Sequence, residues 1–101
     1  MKPKHEPNRV GDMAEHYAIT WLWDQGYEVF KNCGCTGAID IVAIKNGEVT
    51  LIDVKTMHQK EPSRPKHFST KGRTKEQKNK GVVFLGYHPK TRKLRFIRHI
   101  K

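Results

Sequence analysis

The chain has 101 residues, with 20 Lys and Arg against 10 Asp and Glu and a net charge of +10. That length suits one domain with a modest core, and the charge favours a polyanionic partner. No apolar run approaches the ~20 residues a spanning helix needs, and the start MKPKHEPNRV lacks the apolar centre of a secretory signal. The expectation is a cytoplasmic single domain over residues 1–101 with a flexible start at 1–8, a basic loop at 56–73 and no membrane partner.

Along the chain, residues 9–25 come first, RVGDMAEHYAITWLWDQ. They place Val10, Met13, Ala14, Tyr17, Ala18, Trp21 and Leu22 three or four residues from one another, turn after turn. That is one face of an amphipathic helix, with Gly26 as its stop. YEVFKN follows as a short strand. Cys33 and Cys35 are too close for a good disulfide, and a structural zinc site wants four ligands, which His58 or His88 would have to complete; reduced thiols in a loop are the simpler reading. Strands near 38–45 and 48–55 flank Asn46-Gly47, a strong hairpin signal.

The stretch from Thr56 to Arg73 is polar, basic and broken by prolines, so it reads as a functional or disordered loop. Thr74 can cap a short helix through Lys80, with Gln77 placed for a capping box and Gly81 to close it. VVFLGY and LRFIRH are further strands around the turn HPKTRK. The order α-β-β-β-α-β-β describes a small mixed α/β sheet with flanking helices.

The charge is unevenly divided. Residues 1–55 hold six Lys and Arg against eight Asp and Glu, and residues 56–101 hold fourteen against two. An acidic half beside a basic one fits an enzyme acting on nucleic acid better than a uniformly basic coat. Lys60, Arg64, Lys66, Lys71, Arg73, Lys75, Lys78 and Lys80 would follow a sugar-phosphate backbone, which positions DNA without reading its sequence. His67 and Phe68 would be available to stack on an unpaired base.

The hairpin carries the chemistry. With Asn46 and Gly47 at the centre of a type I′ turn, Lys45 pairs with Glu48, Ile44 with Val49 and Val42 with Leu51. Continued outward, the register sets Asp40 opposite Asp53, Cβ atoms ~5 Å apart on one face, and Lys55 projects from that face too. Both strands are otherwise apolar on both faces, which predicts burial on both. Two carboxylates so close are costly without positive charge. Lys55 balances one; a divalent cation, Mg²⁺ or Mn²⁺, would balance both. The other reading is an exposed Asp–Lys pair at a frayed hairpin end, and a one-residue slip would separate the acids.

Asp40, twelve intervening residues and then Asp53-Val54-Lys55 resembles the motif of the PD-(D/E)XK nuclease superfamily. The wording G-x-I-D-I-V-A … I-D-V-K-T is most similar to archaeal-type Holliday junction resolvases and related small phage-type nucleases. The resemblance implies a restriction-endonuclease-like αβββαβ core, here with a C-terminal strand, and a Mg²⁺-dependent endodeoxyribonuclease of recombination and repair, Mn²⁺ substituting. It places Glu15 of the first helix at the metal site, although a solvated helix glutamate has the same spacing. Gln77 resembles a helix glutamine that some branches place near the site, and it equally reads as a capping residue. Ile39 stands where the motif name has proline, and Asp53 where resolvases usually have glutamate.

The implied mechanism has a cation held by Asp40, Asp53 and the Val54 carbonyl, Glu15 assisting, with Lys55 placing the attacking water. Branched or duplex DNA is the expected partner. Resolvases of this superfamily act as symmetric dimers, and the terminal hairpin with Phe84, Phe96 and Ile97 would offer an interface. The rival is a non-catalytic nucleic-acid-binding domain on a degenerate nuclease fold. It explains the charge but not two carboxylates facing each other.

Overall fold

The computed structural model describes residues 6–34, 37–59, 68–69 and 72–97. Helix α1 (Glu6–Asp24) leads into β1 (Glu28–Lys31), β2 (Ile41–Lys45) and β3 (Glu48–Thr56). Two short strands, β4 (His58–Gln59) and β5 (Phe68–Ser69), pair with each other inside the basic segment. Then come α2 (Lys75–Lys80), β6 (Val83–Tyr87) and β7 (Leu94–Phe96). The main sheet runs β1-β2-β3-β6-β7. Only β3 and β6 pair in parallel within it, the others antiparallel. A parallel pair needs a crossover, and the stretch from Met57 to Val82, with α2 in it, supplies one. The helix begins at Glu6, earlier than its apolar periodicity predicts, and the basic loop holds a strand pair.

Asn46 (φ 53°) and Gly47 (φ 78°) both lie in the left-handed region, as a type I′ turn requires. The turn fixes the register: Lys45 faces Glu48, Val42 faces Leu51 and Ile41 faces Ile52. Alternation then sends Ile41, Ala43 and Ile52 to one face, where Ala18 and Leu22 of α1 meet them together with Leu85 of β6. Ala14, Ala18 and Leu22 recur every four residues, so one stripe of α1 is fully buried. Leu22→Ala should therefore lower the unfolding free energy by about 2–5 kcal/mol, measurable by urea titration.

The opposite face departs from the expectation of burial on both sides. Val42, Ile44 and Leu51 are half-buried there, while Phe30 is 48% and Val49 60% exposed. The reason is the size of the second helix: α2 has six residues and buries only Gln77, so it covers the end of the sheet remote from the turn. Among the described residues, no helix is long and apolar enough to cross a membrane.

Candidate active site

The β2–β3 ladder makes its last backbone rung where the Asp40 N–H donates to the Ile52 carbonyl at 2.8 Å. One step further, the Val54 N–H has a side chain as its acceptor: Asp40 Oδ2, at 2.9 Å. The carboxylate thus takes the place of the missing strand carbonyl. Backbone groups of one strand residue face the same edge, so the Val54 carbonyl opens toward the same gap. The regular pairing ends at Ile41 opposite Ile52; just beyond it Asp40 lies close enough to Asp53 for their carboxyls to interact, and Asp53 pairs with Lys55.

Burial, foremost, pushes the Asp40 carboxyl up to about 7. The hydrogen bond and negative charge of Asp53 add to the rise, as does the field of Glu15, while the Val54 N–H opposes it. Asp53 is 8% exposed. Its Oδ2 accepts from Gln77 Nε2 at 2.7 Å and pairs with Lys55 Nζ at 3.3 Å. The Lys55 ammonium also sits 5.3 Å from the centre of the Phe84 ring, a cation–π contact. Phe84 is therefore not an outward interface residue: it is 1% exposed and lies beneath the lysine.

Gln77 serves both of the roles between which its position in the chain left a choice. Its Oε1 accepts from the Thr74 N–H at 3.0 Å, and its own N–H donates to Thr74 Oγ1 at 3.1 Å, a complete capping box. Its Nε2 faces the other way, to Asp53 and to the Ala38 carbonyl at 3.2 Å. One amide closes the first turn of α2 and holds an acid of β3.

Beside Asp40 opens a cleft of ≈ 280 Å³ lined by Asp12, Glu15, Lys31, Asn32, Cys33, Gly34 and Asp40. Glu15 faces it from α1, its Oε1 4.0 Å from Lys31 Nζ. Among the described residues no three carboxylate, imidazole or thiol groups converge as a ready-made metal cage. What comes together is two carboxylates, Asp40 and Asp53, with the Val54 N–H on one of them. Mg²⁺ suits such a set, since it is commonly held by one or two carboxylates plus substrate phosphates while keeping several waters. Two carboxylates brought together out of water are the oxygen donors that a hard divalent cation takes.

Of the basic residues singled out by charge, Lys60, Arg64, Lys66 and Lys71 lie outside the described residues, as does His67. Arg73 Nη1 donates to the Val82 carbonyl at 3.2 Å, which ties it to the fold. Lys75 and Lys78 are exposed on α2, and Lys80 pairs with Glu76 at 3.3 Å. Cys33 is a free, exposed thiol. Sequence reasoning passed over Asn32 and assigned Phe84 to an interface. An Asn two residues before Gly34 is a turn signal, but nothing local marks Phe84 as a rest for Lys55.

A family model described as archaeal Holliday junction resolvase matches residues 6–101. A UPF0102 protein of Chlorobium phaeobacteroides (strain BS1) is 27% identical over 85 residues, covering 82% of this chain and 68% of the relative. Among solved structures, the bacterial homing endonuclease I-Ssp6803I superposes with a TM-score of 0.68 at 17% identity, over 89% of this chain and 67% of that one. The mixed sheet with its helices is thus of the restriction-endonuclease-like kind.

Proposed function

The chain belongs to the archaeal Holliday junction resolvase family, and from that membership together with its acid pair we propose that it is a metal-dependent endonuclease hydrolysing DNA phosphodiester bonds, selective for branched substrates. The observation that carries the proposal is the facing of Asp40 and Asp53 beside Lys55 at the end of the hairpin. A plain DNA-binding surface has no use for opposed carboxylates, which repel phosphate.

In this reading Asp40, Asp53 and the Val54 carbonyl would hold Mg²⁺ or Mn²⁺, with Glu15 assisting. The bound cation supplies Lewis acidity toward a phosphate oxygen and a lower pKa for water. Lys55 orients the attacking water and stabilises the negative charge that builds on the phosphate. Its ammonium is already aimed, held between Asp53 and the Phe84 ring. Gln77 keeps Asp53 in one orientation, so little reorganisation is needed when the cation binds.

Lys75, Lys78 and Lys80, with Lys60, Arg64, Lys66, Lys71 and Arg73 of the same basic stretch, would line the DNA path. The setting is cytoplasmic DNA recombination and repair. Cutting two strands symmetrically calls for a homodimer; Phe96, exposed against Trp21 at the β7 edge, is available to one, and Phe84 is not.

Four-way junction, flap, single-stranded and duplex DNA incubated with Mg²⁺, Mn²⁺ or EDTA test the assignment. Metal-dependent nicks, fastest on the junction and absent in EDTA, are expected. Binding to every substrate with cleavage of none would leave the non-catalytic reading in its place.

A further inference from the structure

Asp40 is the last residue of the segment that joins β1 to β2, and a carboxylate at the mouth of a connection needs something to fix it. The carbonyls of the two residues before it are both taken by side-chain amides. Gln77 Nε2 holds the Ala38 carbonyl at 3.2 Å, and Asn32 Nδ2 holds the Ile39 carbonyl at 2.8 Å. The two amides together hold the backbone on the approach to Asp40.

Asn32 does more than this. Its backbone N–H donates to the Asp40 carbonyl at 2.8 Å, the rung after Lys31 opposite Ile41. Its Oδ1 accepts from the Gly34 N–H at 2.9 Å, which turns the chain out of β1. One residue therefore starts the connection, ends it and pins the carbonyl next to Asp40. The neighbouring backbone is shaped around it. Gly37 adopts φ +116°, a conformation that L side chains rarely take, and an added Cβ there would stand 3.5 Å from Asn32 Nδ2. The task needs a donor and an acceptor on one short side chain. Among side chains of that length only the amide of Asn has both in fixed directions.

We infer that Asn32 is a positioning residue for the acid pair: by holding the Ile39 carbonyl it sets the Asp40 carboxylate opposite Asp53 and under the Val54 N–H. The catalytic consequence rests on the nuclease reading above; the structural consequence does not. Asn32 acts through Asp40.

Two variants separate its arms. Asn32→Ser keeps an acceptor for the Gly34 N–H, but its hydroxyl stands one bond nearer the backbone and no longer reaches the Ile39 carbonyl; Asn32→Ala loses both. The direct readout is hydrogen exchange of the Val54 amide, whose acceptor is the Asp40 carboxylate, in metal-free protein. Both variants should exchange Val54 about tenfold faster than the unaltered chain, the loss of roughly one hydrogen bond, while the Ala43 and Leu85 amides keep their protection. In nicking assays kcat should fall by a similar factor with KM for DNA unchanged. Unchanged Val54 protection in both variants overturns the inference. So does equal acceleration at Val54, Ala43 and Leu85, which would mark a general structural role, and so does a faster Val54 with unaltered kcat in an active enzyme. If the unaltered chain cuts no DNA, the nuclease reading fails and the exchange measurement alone decides whether Asn32 positions Asp40.

Discussion

Asp53→Asn and Lys55→Met variants are expected to fold, to bind DNA about as well as the unaltered chain, and to cut it roughly a thousandfold more slowly. Each replacement keeps shape and removes charge. Asp53 is buried and held by Gln77 Nε2 at 2.7 Å. In the variant the amide oxygen can still accept that hydrogen bond and face Lys55, which leaves the amide nitrogen in the place of Oδ1. A donor then stands where a cation needs an acceptor. Methionine at position 55 can lay a similar stem over the Phe84 ring but brings no ammonium to the phosphate. Single-turnover nicking at saturating protein, read beside a gel-shift titration, measures both properties. Rates within tenfold of the unaltered chain for both variants would remove the acid pair and its lysine from the mechanism.

The acid pair could be read before any coordinates because its placement follows from local rules. Asn-Gly sets a two-residue turn, the turn sets the register, and alternation puts residues 40, 53 and 55 on one face. The order of the main elements along the chain and the capping box of α2 came from equally local signals. What escaped depends on contacts distant in the chain. Apolar residues on both faces of β2 and β3 look like a doubly buried hairpin, yet burial needs a covering element, and α2 is too short to extend over Phe30 and Val49. Gln77 reads as a cap from residues 74–81 alone; its bond to Asp53 joins positions 24 apart. Glu15 sits on the helix face facing the cleft, but how near it comes to Asp40 depends on how α1 crosses the sheet. Phe84 is one more apolar strand residue until β6 is laid beside β3, Asp53 opposite Phe84, which brings the ring under Lys55.

Asp40→Asn is expected to melt about 5 °C above the unaltered chain at about pH 8 without metal, an increment of roughly 1 kcal/mol for a domain of this size. The sign follows from the acid's environment. In the folded chain its carboxyl is pushed up to about 7 from an ordinary value of 3.8, so between those values the folded state binds more protons than the unfolded one. Stability then falls as pH rises. The contribution of protonated Asp40 is fully present below about pH 4 and lost as pH climbs through about 7. Asparagine escapes this loss: its oxygen can still accept the Val54 N–H, and its amide can donate to Asp53. The gap between variant and unaltered chain should therefore close as pH is lowered toward about 5. Mg²⁺ or Mn²⁺ should close it from the other side, raising the melting temperature of the unaltered chain at about pH 8 and leaving the variant nearly unmoved, because a ligand that binds only the folded acid pair stabilises it by mass action. A variant that melts lower at about pH 8, or an unaltered chain whose stability is flat from about pH 5 to 8, would mean that the acids do not oppose each other as the geometry requires. A gain in stability together with a loss of cleavage would instead mark Asp40 as a residue kept at a cost to the fold, the usual relation between a charged site and the domain that carries it.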